Sequence, residues 1–421
     1  MTQGVKRSAP CKHLFELSRR LAASLAGRMP AGQYLVNLCE NRLFFALGLA
    51  MAAIGGRKVL LPPSQSPGEM AGLINAHPGA FVLTDEWIGG RELPAPLTTN
   101  EHTGETGKIP WNRLEVTAFT SGSTGTPQPW SRSWQVLSRC ASAALASLDL
   151  AEKRHAVIST TPPQHMYGLE TAVVWPLVSS LTLTAERPFY PEDIRRATAV
   201  CPLPVVLAST PLHLKACLDS PGKWRNLALI LSSTAPLDHA LAGELEQAMG
   251  APLVELYGST ETLSFAWRRP TRCQGWRPYE GVTLACRDDR TRVTAPWLPA
   301  PVELPDRFQP LGEGLYQALG RGGDLVKIGG KRHSLAELNR ILLSLEGVRD
   351  GCFYRTAHGR LGALVVTRRQ RGEIRAALRR RLDEVFLPRP LLIVDRIPRN
   401  ATGKVVKAEL ASLVEKLTRA P

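Results

Sequence analysis

Short apolar runs that stop at polar, turn-rich loops are the strongest constraint on this chain's fold. Residues 116–119, 157–159, 205–208, 227–231 and 253–256 are such runs, and Lys58–Leu61 is another, closed by Pro62 and Pro63. Continuous apolar runs of this length suit strands buried on both faces of a sheet. Between them lie helix-like stretches at 43–54, ended by Gly55 and Gly56, and at 134–145. Strand and helix alternating in this way predict an α/β protein, with functional groups expected in the loops where strands end.

The composition fits a packed protein. Of 421 residues, 44% are hydrophobic and 21% charged, which is not the profile of a disordered chain. The eight cysteines, Cys11, Cys39, Cys140, Cys201, Cys217, Cys273, Cys286 and Cys352, form no C-x-x-C pair and have no histidine cluster beside them. A zinc site or redox dithiol is therefore not expected, and buried thiols in a reducing cytoplasm are. The longest apolar run, 43–54, is 12 residues. A transmembrane helix needs about 20, so this run reads as a core helix.

The net charge is +15, and it is placed unevenly. From Arg321 onward there are 22 Lys and Arg against 10 Asp and Glu, whereas the first 320 residues hold 30 against 27. The asymmetry predicts a separate C-terminal domain facing something anionic: nucleic acid, a membrane surface, a phosphate-rich small molecule or an acidic protein. Amphipathic helices are expected there at 335–345 and at 374–385, the second with Ile374, Leu378, Leu382 and Val385 on one face. Residues 268–312, rich in Arg, Pro and Trp, read as several short strands and loops.

Residues 120–127, TSGSTGTP, follow an expected strand. Glycines allow a tight bend and close approach. The hydroxyls of Thr120, Ser121, Ser123 and Thr124, with exposed N–H groups around Gly122 and Gly125, can donate to anionic oxygens. No G-K-[ST] follows, so this is not a Walker A loop. Alone, the segment reads equally as a surface turn.

TSGSTGTP resembles the phosphate loop of the adenylate-forming superfamily, which includes acyl-CoA synthetases, luciferases and peptide-synthetase adenylation domains. Other motifs of that family appear in order. Residues 257–262, YGSTET, resemble its Y-G-x-T-E motif. The resemblance implies that Tyr257 lies against adenine with Gly258 and Ser259 beside it. It also implies that Thr260 bonds the α-phosphate and Glu261 helps hold Mg²⁺. Residues 162–168, PPQHMYG, are similar to the motif around the acid pocket and imply His165 there. Residues 232–237, SSTAPL, are similar to a G-G-A-P-L segment lining the adenine and acyl sites, with Ser233 and Thr234 replacing glycines before Ala235.

Asp306 and Arg321 are 15 positions apart, matching the ribose-binding Asp and the Arg that opens the hinge motif. RGGDLVKIGGKR, from Arg321, implies a hinge at Asp324 and a thiol tunnel at Gly329 and Gly330, with Glu337 the acidic residue of the next helix. PRNATGK, 398–404, resembles the C-terminal P-R-x-x-x-G-K motif and makes Lys404 the catalytic lysine.

The resemblance implies a large N-terminal adenylate-forming domain, 1–323, with β-sheets flanked by helices. A small mobile α+β domain, 324–421, would carry Lys404. It implies activation of a carboxylic acid by ATP and Mg²⁺ to acyl-AMP, then transfer to a phosphopantetheine thiol. PPQHMYGLE and the 119 residues before Thr120, fewer than in typical relatives, resemble the short ligases of aryl polyene and xanthomonadin pigment clusters. Those load small aromatic acids, such as a hydroxybenzoate, on an acyl carrier protein. Free CoA is the alternative acceptor.

The chain departs from the family in one motif. Gln128 stands where relatives carry a lysine after the phosphate loop, and Arg132 is the candidate replacement for its charge. Gln128 also motivates a second reading, a non-catalytic nucleotide- or acid-binding member, against which stand Glu261, Arg321 and Lys404. A nucleic-acid binder is suggested by the pI alone, and no recognised module supports it.

Overall fold

The computed structural model describes residues 22–62, 64–89, 109–120, 128–220, 222–287, 290–321, 325–328, 331–356, 359–399 and 405–419. Five strands build a first sheet: β1 (Tyr34–Asn37), β2 (Lys58–Leu61), β3 (Phe81–Leu83), β4 (Glu115–Thr120) and β5 (Gln128–Ser133), in the order β3-β1-β2-β4-β5. The first four run parallel and β5 returns antiparallel to β4. The helix Arg42–Gly55 connects β1 to β2. Asn41 caps its start by accepting from the N–H of Leu43 and Phe44, and Gly56 ends it in the left-handed region.

A second sheet has seven strands: β6 (Ala156–Ser159), β7 (Thr182–Leu183), β8 (Val205–Ser209), β9 (Leu227–Ser232), β10 (Leu253–Ser259), β11 (Leu263–Arg268) and β12 (Arg277–Pro278). Their order is β12-β11-β10-β9-β8-β6-β7. Strands β6 to β10 are parallel, and β11 and β12 are antiparallel additions. The register lines up Ser209, Ser232 and Glu255, with Ser159 opposite Ala208, so the loops leaving β6, β8, β9 and β10 emerge along one edge. The fold class is the α/β architecture expected from the strand–helix alternation, and the short strands expected in 268–312 are present.

Residues from Val326 onward pack a core of their own, in which Leu338 and Leu342 meet Phe353, Val365, Ile374 and Leu378. This part is α+β, with a three-stranded sheet of Val348–Arg355, Leu361–Thr367 and Leu391–Ile393. Two polar contacts reach the large sheet region. Lys215 Nζ donates to the carbonyls of Leu343 (2.7 Å) and Val348 (2.6 Å), and Arg340 pairs with Asp238. One expectation fails here. The helix read over 374–385 runs instead from Arg371 to Arg379, followed by a separate 3-10 turn, Glu384–Phe386. The Asp383 side chain accepts from Val385 N–H and starts that new turn, so the chain breaks while Leu382 stays buried.

Among the described residues all cysteines are free thiols, and no group of three or more His, Cys, Asp or Glu could hold a metal. No helix among them is long and apolar enough to cross a membrane.

Candidate active site

The turn that joins β10 to β11 carries the YGSTET residues. Gly258 is sterically required: a Cβ there would sit 2.5 Å from the Leu263 carbonyl and 2.6 Å from Ser264 Cα. Hydroxyls close the turn. Ser259 Oγ and Thr262 Oγ1 are 3.0 Å apart, and Ser259 Oγ accepts from Thr262 N–H. Trp297 Nε1 donates to the Thr262 carbonyl at 3.1 Å. Thr260 and Glu261 remain half-exposed at the tip.

Tyr257 Oη donates to Asp306 Oδ1 at 2.8 Å, across 49 residues of sequence. The Tyr257 ring is held edge-on by Trp276 and Phe308, with centroids 4.8 and 4.9 Å away, and tilted against Phe265. This places a half-exposed tyrosine ring beside a buried carboxylate, 8% exposed. Asp306 opens the hairpin of Asp306–Gly312 and Leu315–Arg321 and pairs in register with Arg321, which explains their 15-residue spacing.

Ser233, Thr234 and Ala235 leave β9 next to β10. Ser233 Oγ donates to the Leu256 carbonyl at 3.0 Å. Thr234 has φ +77°, a strained conformation for a β-branched residue, at a position where the motif has glycine. Buried Glu255 holds the end of this segment, accepting from Leu237 N–H at 2.9 Å and from Arg268 Nε at 2.6 Å. Burial raises the Glu255 pKa, and Arg268, stacked over Trp276, opposes that rise.

His165 caps the short helix Met166–Leu169. Its Nδ1 accepts from Tyr167 N–H at 3.3 Å, so in the neutral ring the proton sits on Nε2. The segment is folded tightly against itself, since a Cβ on Gly168 would lie 2.2 Å from the Pro162 carbonyl. The buried Tyr167 hydroxyl has the Ser209 backbone beside it; burial raises its pKa and that backbone opposes the rise. Thr161 Oγ1 and Ser232 Oγ are buried with no hydrogen-bond partner among the described residues. Glu170 opens a π-helical turn and reaches Ser264: Oε2 accepts from the Ser264 N–H at 3.1 Å and Oε1 from its hydroxyl.

Arg132, on β5, is turned into the protein. Its guanidinium donates to the carbonyls of Ser131 (2.9 Å), Thr260 (3.3 Å) and Glu261 (2.5 Å). Burial lowers its pKa, and the charge of Glu261 pulls the other way.

Ser121, Gly122, Ser123, Thr124, Gly125, Asp324, Gly329, Gly330 and Lys404 lie outside the described residues. The segments beside two of these motifs are described. Thr120 pairs with Gln128 across the β4–β5 hairpin, so the phosphate-loop motif connects two adjacent strands. Arg399 forms an isolated bridge with Val405 and a two-pronged ion pair with Asp350, 2.7 and 2.9 Å, bracing the stems of the segment that contains Lys404. Asp350 and Glu255 carry no sequence signal, because their basic partners lie 49 and 13 residues away in no motif spacing.

A body of two α/β sheets followed by a small α+β part is the adenylate-forming fold. A solved benzoate CoA ligase from Burkholderia xenovorans LB400 shares it at TM-score 0.76 and 18% identity, covering 94% of this chain and 93% of that one. The family model for AMP-binding enzyme matches residues 6–297, and the chain belongs to that family. It is an enzyme of the family's acid–thiol ligase type. The chain is 32% identical over 308 residues to a 4-coumarate--CoA ligase of Halorhodospira halophila, 69% of this chain and 74% of the relative. It is 23% identical over 299 residues to a 3,4-dihydroxybenzoate--[aryl-carrier protein] ligase of Bacillus anthracis, 68% and 71%.

Proposed function

We propose that the protein activates a small aromatic carboxylic acid with ATP to an acyl-AMP and passes the acyl group to the phosphopantetheine thiol of an acyl carrier protein. The observation that carries this reading is the hydrogen bond from Tyr257 to Asp306 within its aromatic cage, which joins two separate nucleotide motifs. In this reading Tyr257, with Gly258 and Ser259, takes adenine, Asp306 and Arg321 take ribose, and Ser233, Thr234 and Ala235 line the pocket between base and acid. Thr120 to Gly125 cradle the phosphates.

A carboxylate is a poor electrophile, and its attack on the α-phosphate exchanges pyrophosphate for a good leaving group, AMP. Negative charge gathers on phosphoryl oxygens in the transition state, where fixed donors act most strongly. Thr260 donates there, and Lys404 brings the cation. Glu261 is the oxygen ligand suited to Mg²⁺, which when bound would neutralise phosphate charge. His165, with its proton on Nε2, presents a donor to the acid side of the site. Residues 1–323 and 324–421 act as two domains. Turning about Asp324 withdraws Lys404 and opens a thiol path at Gly329 and Gly330.

The aromatic acid is supported by the likeness of PPQHMYGLE to the pigment-cluster ligases and by the coumarate and dihydroxybenzoate ligases among the relatives. The carrier protein is supported by the basic excess after Arg321, which complements an acidic protein face. CoA, the acceptor in the Halorhodospira enzyme's name, is the second reading.

Pyrophosphate release measured with hydroxybenzoates, cinnamates and fatty acids, then with carrier protein or CoA, tests the proposal. Lys404→Ala should lower adenylation by about a thousandfold or more and spare thioester formation from supplied acyl-AMP. A Lys404→Ala variant that adenylates normally rules out the assignment. Absence of acid-dependent release with every acid favours a non-catalytic binding protein.

A further inference from the structure

Arg132 is a buried cation, 9% exposed, that no carboxylate contacts directly among the described residues. Its Nε has no hydrogen-bond partner among the described residues, and the Trp130 ring lies 5.5 Å from its Cζ. A desolvated guanidinium satisfied only by carbonyls is costly, and an apolar side chain would fill the same space more cheaply. What the arginine supplies is a bond to each of two consecutive carbonyls, Thr260 and Glu261, from a strand that leaves the phosphate-loop motif at Gln128. The two sheets are thereby tied together at the catalytic edge, across 128 and 129 residues of sequence.

We infer that Arg132 is a positioning residue: it clamps the turn at Thr260 and Glu261 to the β4–β5 hairpin. Its fixed positive charge stands beside the Glu261 carboxylate. This rests on the adenylation reading above and replaces the simpler expectation that Arg132 reaches the pyrophosphate. A guanidinium already engaged by three carbonyls is committed to protein, not ligand. The clamp acts by holding the acidic turn and the phosphate-loop stem at a constant distance. A displacement of about 1 Å at such a site is enough to cost roughly a hundredfold in rate.

The test uses full-length Arg132→Met and Arg132→Lys. Mn²⁺ is titrated by electron paramagnetic resonance in the presence of a non-hydrolysable ATP analogue, and acid-dependent pyrophosphate exchange is followed in parallel. With the clamp removed, Arg132→Met should bind Mn²⁺ about tenfold more weakly and lose about tenfold or more in exchange kcat, with the KM for ATP within about threefold. Thioester formation from supplied acyl-AMP should stay within about twofold, showing that the variant is folded. Arg132→Lys keeps the charge but not the fork, so it should fall between the two and carries the test if the methionine variant does not fold. Wild-type Mn²⁺ affinity and kcat in either variant overturn the inference. So does a loss confined to the KM for ATP, which would mean direct contact with the nucleotide. Glu261→Gln separates the two levels: exchange in the wild type that this variant abolishes upholds the adenylation reading whatever Arg132 does.

Discussion

The two walls of the site at the strand ends are built differently. On the β10 side, Tyr257 is tied to Asp306, Ser233 to the Leu256 carbonyl, Ser259 to Thr262, and Glu255 to Arg268. On the β6 and β8 side, Thr161 and Tyr167 have buried hydroxyls that close no well-formed hydrogen bond among the described residues, as does Ser232 on β9 between the two sides, and Glu170 is buried with Ser264 and Cys140 donating to it. A wall whose polar groups are satisfied internally offers a rigid surface to an invariant ligand such as a nucleotide. A wall with unspent donors and acceptors keeps them for a variable ligand, as an acid pocket must. In the proposed function, the same sheet would carry a nucleotide edge on the first side and an acid edge on the second.

The largest effect is expected where backbone touches backbone, and it should strike both walls alike. Gly258→Ala forces a methyl into the Leu263 carbonyl, and Gly168→Ala forces one into the Pro162 carbonyl. Each should cost about 2–4 kcal/mol in urea unfolding. A variant whose Tm stays within about 2 °C of wild type would show that the loop opens readily and that its wall is not rigid.

A smaller effect separates the walls by pH. Burial raises the Glu170 pKa above the ordinary 4.5, and its hydrogen bonds to Ser264 oppose the shift. The folded protein therefore holds this proton more tightly than the unfolded chain. The stability it contributes is fully present below about pH 4.5 and is lost as pH rises through the folded pKa, by at most ~1.4 kcal/mol per pH unit. Glu170→Gln keeps the shape and cannot ionise. Its stability relative to wild type should climb as pH rises from about 4.5 toward the raised pKa, and parallel curves throughout would refute the upward shift.

Much of this architecture is legible in the sequence because buried parallel strands write continuous apolar runs. Lys58–Leu61 stands at its expected limits, and the runs at 205–208 and 227–231 are strands one residue longer. The pairing of Asp306 with Arg321 is legible as a spacing because one hairpin sets it. Helices that begin with proline at the first turn, Pro67–Ala76, Pro191–Val200 and Pro211–Leu218, escape the reading, since a proline can equally mark a turn or the end of a strand. Side-chain contacts between distant segments escape it entirely. Nothing in Arg132 forecasts the Thr260 and Glu261 carbonyls, and nothing in Asp350 forecasts Arg399. The break after Arg379 escapes because the apolar period continues through Leu382 while Asp383 caps a new turn.

The finest discrimination between the walls comes from one atom removed twice. Tyr257→Phe deletes a hydroxyl bonded to Asp306 at 2.8 Å and leaves a carboxylate only 8% exposed short of a donor. It should cost about 1–2 kcal/mol of stability and raise the KM for ATP. Tyr167→Phe deletes a buried hydroxyl that closes no well-formed hydrogen bond among the described residues and has only the Ser209 backbone beside it, so the ligand-free protein should lose less than with Tyr257→Phe. Its effect belongs to the acid: preference for hydroxylated over unsubstituted aromatic acids should fall, read as the ratio of kcat/KM values. Equal destabilisation by the two substitutions would mean that Tyr167 is already bonded within the protein, and the contrast between the two walls would fail with it.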